Sequence, residues 1–368
     1  MVRGIPLRWF HHRLISTAPP AQKHFLNLVE MMIQTAIQTK ILSGFDDPSF
    51  GREQWEELLR AGETDTIFLT WEWQRTWWEV FGRGRLLLVV AEREGQPVAL
   101  APFYTDEGMI YFVGSGFESY RLDFVGDTSD PEVLDALLET ARDAVPDFAG
   151  FDFYFVADHA PTRQRLEAAA ARLGLESYEQ WDVAAMTMDL RSDPEAARAA
   201  TRKKSLVRHE NFFRREGELT ITHVREAEAV LPELEAFFAQ HIARWAETDS
   251  PSLFLNSEAR AFYERWATVA SERGWLRFTR LDWNRQPIAF HFGMSYWGRY
   301  IWYKPSFDIE LARHSPGEVL LRQVLLSAIE EGASLFDFGT GDDEYKHRFA
   351  TDFDRVRALG FYPAANIE

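Results

Sequence analysis

Two stretches of this chain follow one plan, and that internal repetition constrains its fold more than any other feature. Residues 85–104 read RLLLVVAEREGQPVALAPFY and residues 275–296 read WLRFTRLDWNRQPIAFHFGMSY. Each is an apolar strand, a polar turn and a second apolar strand. The turns coincide as Gln96-Pro97-Val98-Ala99 and Gln286-Pro287-Ile288-Ala289. Both predict hairpins in which Pro opens the return strand at an edge-compatible position.

The parallel continues beyond the hairpins. A further aromatic strand follows each, over 109–113 and 300–304. An amphipathic helix introduced by Pro131 or Pro316 comes next, and an apolar strand closes each unit, FDFYFV (151–156) and LFDFGT (335–340). A helix after the hairpin strands and a strand after the helix predict an α/β fold with a mixed sheet and right-handed crossovers. Two copies predict two tandem domains, over 45–195 and 196–368. Residues 1–44 read as an N-terminal extension of weak order, or as a helix packed on the first domain; Met31 and Met32 offer an alternative start within it.

Composition removes several classes of function. Lysine and arginine number 40 against 57 acidic residues, a formal charge of −17. Such a surface repels phosphate, which argues against a nucleic-acid or anionic-membrane binder. One basic stretch, with Arg202, Lys203, Lys204, Arg208, Arg214 and Arg215, stands apart as a solvated helix or a local anion site. There is no cysteine, so disulfides, Cys-ligated metals and a catalytic thiol are excluded. Asp342 and Asp343 have no histidine at ligand spacing, and no metal is expected. No apolar run reaches the ~20 residues of a membrane span. The N-terminus lacks the apolar segment of a signal peptide, so the cytoplasm is the expected compartment.

The segment RHSPGEVLLRQVLLSAIEEG (313–332) carries the clearest sign of a ligand. Ser315 and Pro316 mark a helix start, and Gly317 in its first turn permits close approach. Free N–H groups and the positive end of the helix dipole suit a pyrophosphate, with Arg313 and His314 just upstream as counter-charges. The equivalent place in the first copy holds Asp127, Asp130 and Glu132, which oppose phosphate. A phosphorylated co-substrate is therefore expected on the second copy.

These residues resemble the GNAT acyltransferases, in particular the CelD-like group of bacterial polysaccharide biosynthesis, whose members pair two GNAT-like domains and are related in architecture to Fem-type aminoacyl transferases. The matching stretches are FLTWEWQRTWWEVFG (68–82), YKPSFDIELARHSPGEVLL (303–321) and FDFGTGDDEYKHRFA (336–350). The segment from Arg313 through Ser315 and Gly317 to Glu318 and Val319 resembles the GNAT pyrophosphate loop, with an extra residue before Gly317 and Val319 where a small residue is usual. The resemblance implies acetyl-CoA or another acyl-CoA as co-substrate, lying where two strands splay apart, its thioester bonded by strand backbone near Tyr303 and Lys304. A small-molecule amine would attack directly, without a nucleophilic side chain.

Under that reading, position selects His291 in the second hairpin, Asp308 after the third strand, and Glu344, Tyr345 and Lys346 after the last strand of the unit. Tyr345 would protonate the leaving thiolate and Lys346 would stabilise negative charge. Trp245 and His241, on one predicted helix, are acceptor-site candidates. The tryptophans at 71, 73, 77 and 78 read as core. Three functions compete: an acyl-CoA-dependent N-acyltransferase acting on an amino sugar or other small amine; a Fem-like transferase drawing on aminoacyl-tRNA; and a catalytically degenerate binding scaffold.

Overall fold

A computed structural model describes residues 36–116 and 118–364; most of the expected N-terminal extension lies outside the described residues. The first half comprises β1 (Gln38–Ile41), α1 (Arg52–Ala61), α2 (Trp71–Phe81), β2 (Arg85–Arg93), β3 (Gln96–Asp106), β4 (Met109–Phe112), β5 (Val125–Gly126), α3 (Pro131–Asp143), β6 (Gly150–Ala157), α4 (Thr162–Arg172) and β7 (Leu175–Asp189). The second runs through α5 (Pro194–Thr201), α6 (Lys204–Glu216), β8 (Leu219–Val224), α7 (Ala227–Val230), α8 (Leu234–Trp245), α9 (Ser257–Glu272), β9 (Leu276–Trp283), β10 (Gln286–Tyr296), β11 (Arg299–Phe307), α10 (Pro316–Glu330), β12 (Leu335–Thr340), α11 (Glu344–His347) and β13 (Asp352–Pro363).

The strands join into one mixed sheet, in the order β1-β2-β3-β4-β6-β13-β7-β12-β11-β10-β9-β8, with β5 beside β3. The duplication is plain in that order: β2-β3-β4, α3 and β6 recur as β9-β10-β11, α10 and β12. In each copy the third strand meets the closing strand in parallel for a few residues only. The pairs are Met109 with Gly150 and Ile110 with Phe151 in the first. They run from Arg299 with Leu335 to Ile301 with Asp337 in the second.

Local rules account for the repeated hairpins. Glu94 and Gly95 at one tip, Asn284 and Arg285 at the other, all have positive φ, the primed-turn geometry that matches strand twist. The two prolines lie on interior strands, contrary to the edge-like setting expected of them. What admits them is a shift in register, between Glu92 and Ala91 opposite β3 and between Pro287 and Ala289 on β10. Each shift leaves one residue, Val98 or Ile288, outside the ladder.

The halves are laced together by the two longest antiparallel strands. β13 pairs with β7 from Asp352–Thr187 to Pro363–Leu175. Beyond Val356 it also pairs with β6 of the first copy, while the end of β7 pairs with β12 of the second. The sheet therefore runs across residue 195, and β1, ahead of residue 45, is its first strand. Aromatic packing reinforces the seam: Trp73 of α2 is fully buried and meets Trp266 and Phe262 of α9 edge-on at 4.6 and 5.2 Å. Such pairs contribute about 0.5–1.5 kcal/mol each beyond the area they bury. Trp73 and Trp77 are core residues, as their helical spacing predicts.

Candidate active site at the junction of the halves

Past Ile301 and Asp337 the strands β11 and β12 part. On β11 the cause is a bulge: Phe292 faces Lys304 and Met294 faces Ile301, so Trp302 and Tyr303 together oppose the single residue Gly293. A Cβ at Gly293 would lie 2.0 Å from His291 Cε1 and 2.8 Å from Ile301 O, so only glycine fits. On β12, Gly339 and Gly341 take φ of +69° and +109°, which turns that strand away.

His291 sits beneath the bulge, wholly buried and stacked on Trp302 at 4.7 Å. Its Nε2 accepts a hydrogen bond from the Tyr303 N–H at 3.2 Å. Burial pushes its pKa down to about 3, so it stays a neutral acceptor. Two expectations are corrected. His291 satisfies the bulge from inside the core and does not face a substrate. The Tyr303 N–H, taken by His291, is not offered to a thioester.

Tyr345 stands at the mouth of the splay. Its Oη accepts from Trp302 Nε1 at 3.0 Å, which leaves its own O–H to donate outward. Burial pushes the phenol well above its ordinary value, and Arg244 is near enough to oppose the shift. The phenol therefore carries its proton throughout the neutral range. Arg244 Nη1 donates to Pro305 O at 3.0 Å and lies over the rings of Trp245 and Phe307.

The neighbours of Tyr345 do not share its position. Lys346 is buried, and its ammonium donates to Thr340 O at 2.6 Å and Gly341 O at 3.3 Å and pairs with Asp343 at 2.9 Å. It fastens the loop after β12 and is not presented to a ligand. Glu344 is exposed at the start of the short α11. Asp308 accepts from the Glu310 N–H at 3.0 Å and caps a 3-10 turn over Ile309–His314, a structural task in place of substrate binding. His241 is buried, shares a hydrogen bond with Ser252 Oγ at 2.8 Å and is held neutral, its pKa about 3, chiefly by burial. Trp245 is half-buried, and its indole N–H has no hydrogen-bond partner among the described residues.

The start of α10 is shaped differently from expectation. Ser315 takes a left-handed φ of 55°, and a Cβ on Gly317 would come within 3.0 Å of Phe307 Cδ1. Arg313 Nε donates to His314 Nε2 at 2.8 Å, and His314 stacks face to face on Phe212 of α6 at 3.9 Å. These two side chains hold each other and α6. Glu318 pairs with Arg348 at 2.5 Å and His209 at 3.5 Å, and Val319 is core. The side chains that meet Glu318 at this helix start are Arg348 and His209, with Lys203 donating to the Arg348 carbonyl.

The loop after β4 supplies residues that sequence reasoning missed. Tyr303 Oη donates to the backbone carbonyl of Glu118. The Glu118 side chain is 8% exposed; burial raises its pKa, with Lys304 and Trp77 opposing. Lys304 lies over the Tyr303 ring at 4.6 Å, and burial lowers its pKa to about 8 against the pull of Glu118. Tyr120 lies beside Gly339 in the splay, where a Cβ would be 3.8 Å from its ring. The only cue in the sequence was an ionisable residue within a glycine- and aromatic-rich loop, GSGFESYR, without a counterpart in the second copy.

A mixed sheet whose two parallel strands open over a bulge, beside a helix start, is the framework of an acyl-transfer fold. Residues 200–347 match the family described as the acetyltransferase (GNAT) domain, and the fold is that of two tandem GNAT-like units. Among solved structures it is similar to FemX, at 11% identity and a TM-score of 0.59 over 85% of this chain and 96% of that one. It is similar also to the C-terminal domain of a putative lysylphosphatidylglycerol synthetase from Agrobacterium fabrum, at 17% identity and a TM-score of 0.52 over 85% and 93%. A third likeness is a conserved protein of unknown function from Bacteroides thetaiotaomicron, at 15% identity and a TM-score of 0.54 over 84% and 96%. At these identities the likeness is one of fold. No curated protein matches the sequence.

Proposed function

We propose that this protein is an acyl-CoA-dependent N-acyltransferase of cytoplasmic, CelD-like type, with an amino sugar or another small amine of envelope or polysaccharide metabolism as acceptor. The second copy would take the acyl donor and the first copy no cofactor. The observation that carries this is the opening between β11 and β12, with a protonated tyrosine, Tyr345, at its mouth. Tyr345 is suited to protonate a departing thiolate, since its hydroxyl oxygen already accepts from Trp302 and its proton is free to leave outward. Among the described residues no group of three or more metal-ligating side chains occurs and no helix is long and apolar enough to cross a membrane. Titration calorimetry with acetyl-CoA tests the reading: saturable binding is expected, and no heat at millimolar ligand would favour a scaffold.

One observation favours a Fem-like aminoacyl transfer instead. Glu318 sets a carboxylate at the helix start where a pyrophosphate would lie, and Arg313 and His314 are engaged elsewhere. Filter binding with aminoacyl-tRNA at low salt separates the two, because retention would be seen only under the second.

A further inference from the structure

The site as described has a donor side, and the acceptor side is built from the other copy. We infer that Glu118, carried by the first half, binds the ammonium of a primary-amine acceptor and removes the proton that frees its lone pair. This rests on the acyl-CoA reading above.

The geometry points that way from three directions. First, Glu118 is anchored to the splayed strand by its own carbonyl, which accepts from Tyr303 Oη. Its carboxylate is thereby held beside Lys304, the residue that follows the bulge. Second, it is buried, and a buried carboxylate is costly unless a cation or donors meet it. The groups that face it are Lys304 and Tyr303 from β11, Trp77 from α2 and Tyr263 from α9. Third, Trp77 and the Tyr263–Tyr303 hydroxyl pair turn polar groups toward the carboxylate, so the pocket around it is polar on the side away from Lys304. Burial raises the Glu118 pKa above the usual carboxylate range, and Lys304 opposes the rise, which makes this carboxylate a stronger base than an exposed one.

An acceptor entering as an ammonium first loses one proton to Glu118. Its nitrogen lone pair then forms the C–N bond while the C–S electron pair departs with sulfur. Glu118 passes the first proton to solvent and then takes a second from nitrogen by the same route, while Tyr345 gives its proton to sulfur and is reprotonated from solvent. Two protons leave nitrogen, one arrives on sulfur, and one net proton is released.

The test compares wild type, E118Q and E118D with acetyl-CoA and three nucleophiles: glucosamine and lysine, which are cationic at pH 7, and hydroxylamine, which is neutral. Thiol release is read with a thiol reagent, free of background because the chain has no cysteine. Calorimetry should give acetyl-CoA affinities within twofold for all three proteins. E118Q should lose at least a hundredfold in kcat/KM on the better cationic amine and less than tenfold on hydroxylamine, with E118D between. Equal losses on both nucleophile types, or full turnover by E118Q, overturn the inference alone. A wild type that binds acetyl-CoA but acylates neither cationic amine overturns the assigned amine selectivity. A wild type that binds no acetyl-CoA overturns the reading beneath it, and the inference with it.

Discussion

Arg121 of the first half reaches across the seam to Asp337 of β12, with Nε 3.9 Å from Oδ2. Both side chains are buried. Asp337 also receives Arg299 at 2.7 Å, and Arg121 pairs with Asp354 of β13 at 3.1 Å. Removing one partner of a buried pair strands the other's charge, at roughly 3–5 kcal/mol. Arg121→Ala should therefore lower the unfolding free energy by that much, read as a lower urea midpoint at an unchanged slope. A loss below about 1 kcal/mol would mean that Arg299 alone satisfies Asp337.

Tyr345→Phe tests the proton donor. The hydroxyl acts as the C–S bond breaks, so kcat should fall by roughly ten- to a hundredfold, about 1.4–2.7 kcal/mol of barrier. The KM for acyl-CoA should stay within about twofold. Steady-state thiol release measures both, and unchanged turnover removes Tyr345 from the mechanism.

The start of α10 is probed by Gly317→Glu, which adds bulk near Phe307 and a second carboxylate beside Glu318. Acetyl-CoA affinity should drop by roughly a hundredfold, about 2.7 kcal/mol, with the fold checked by circular dichroism. The matching change in the first copy, Glu132→Gln, should leave the affinity within about twofold. Normal binding by a folded Gly317→Glu protein would place the donor elsewhere.

Stability should depend on pH through His241 and His291. Both have folded pKa values near 3, below the ordinary 6.5. Below pH 6.5 the unfolded chain binds protons that the folded one refuses. Stability is thus intact above 6.5 and falls as pH drops toward 3, by about 1.4 kcal/mol per pH unit for each histidine. Thermal melts between pH 7 and 4 should show a shallower slope in His291→Gln and in His241→Asn. Equal slopes in variants and wild type would contradict the assignment.

Much of the fold could be read from the sequence because its elements are local. Period-two strands around a turn, and a proline opening an amphipathic helix, announce themselves within about ten residues, and both copies did so. The lacing of β7 with β13 joins residues 175–189 to 352–363, and no local pattern encodes that pairing. The site divided along the same line. Tyr345 follows a closing strand, where ligands gather in such sheets, and its position was legible. Lys346, expected to stabilise negative charge at the site, turns inward onto Thr340 and Gly341. His291 has the residue type of a catalyst, but its neighbours in space, a bulge N–H and a tryptophan ring, make it a strut. Glu118 went unseen because its partners, Tyr303 and Lys304, belong to the other copy.

The lacing of β7 and β13 across the two copies has a consequence for how the chain is made. Synthesis proceeds from the N-terminus, and the strand that fills the space between β6 and β7 is made after every other strand described. The first copy must wait, its sheet open, until translation of the second is finished. Neither copy is a separable gene product: a stop codon before Asp352 removes a strand from both at once. The two copies are thus indivisible in the folded chain, since each sheet is completed by a strand that the other end of the sequence supplies.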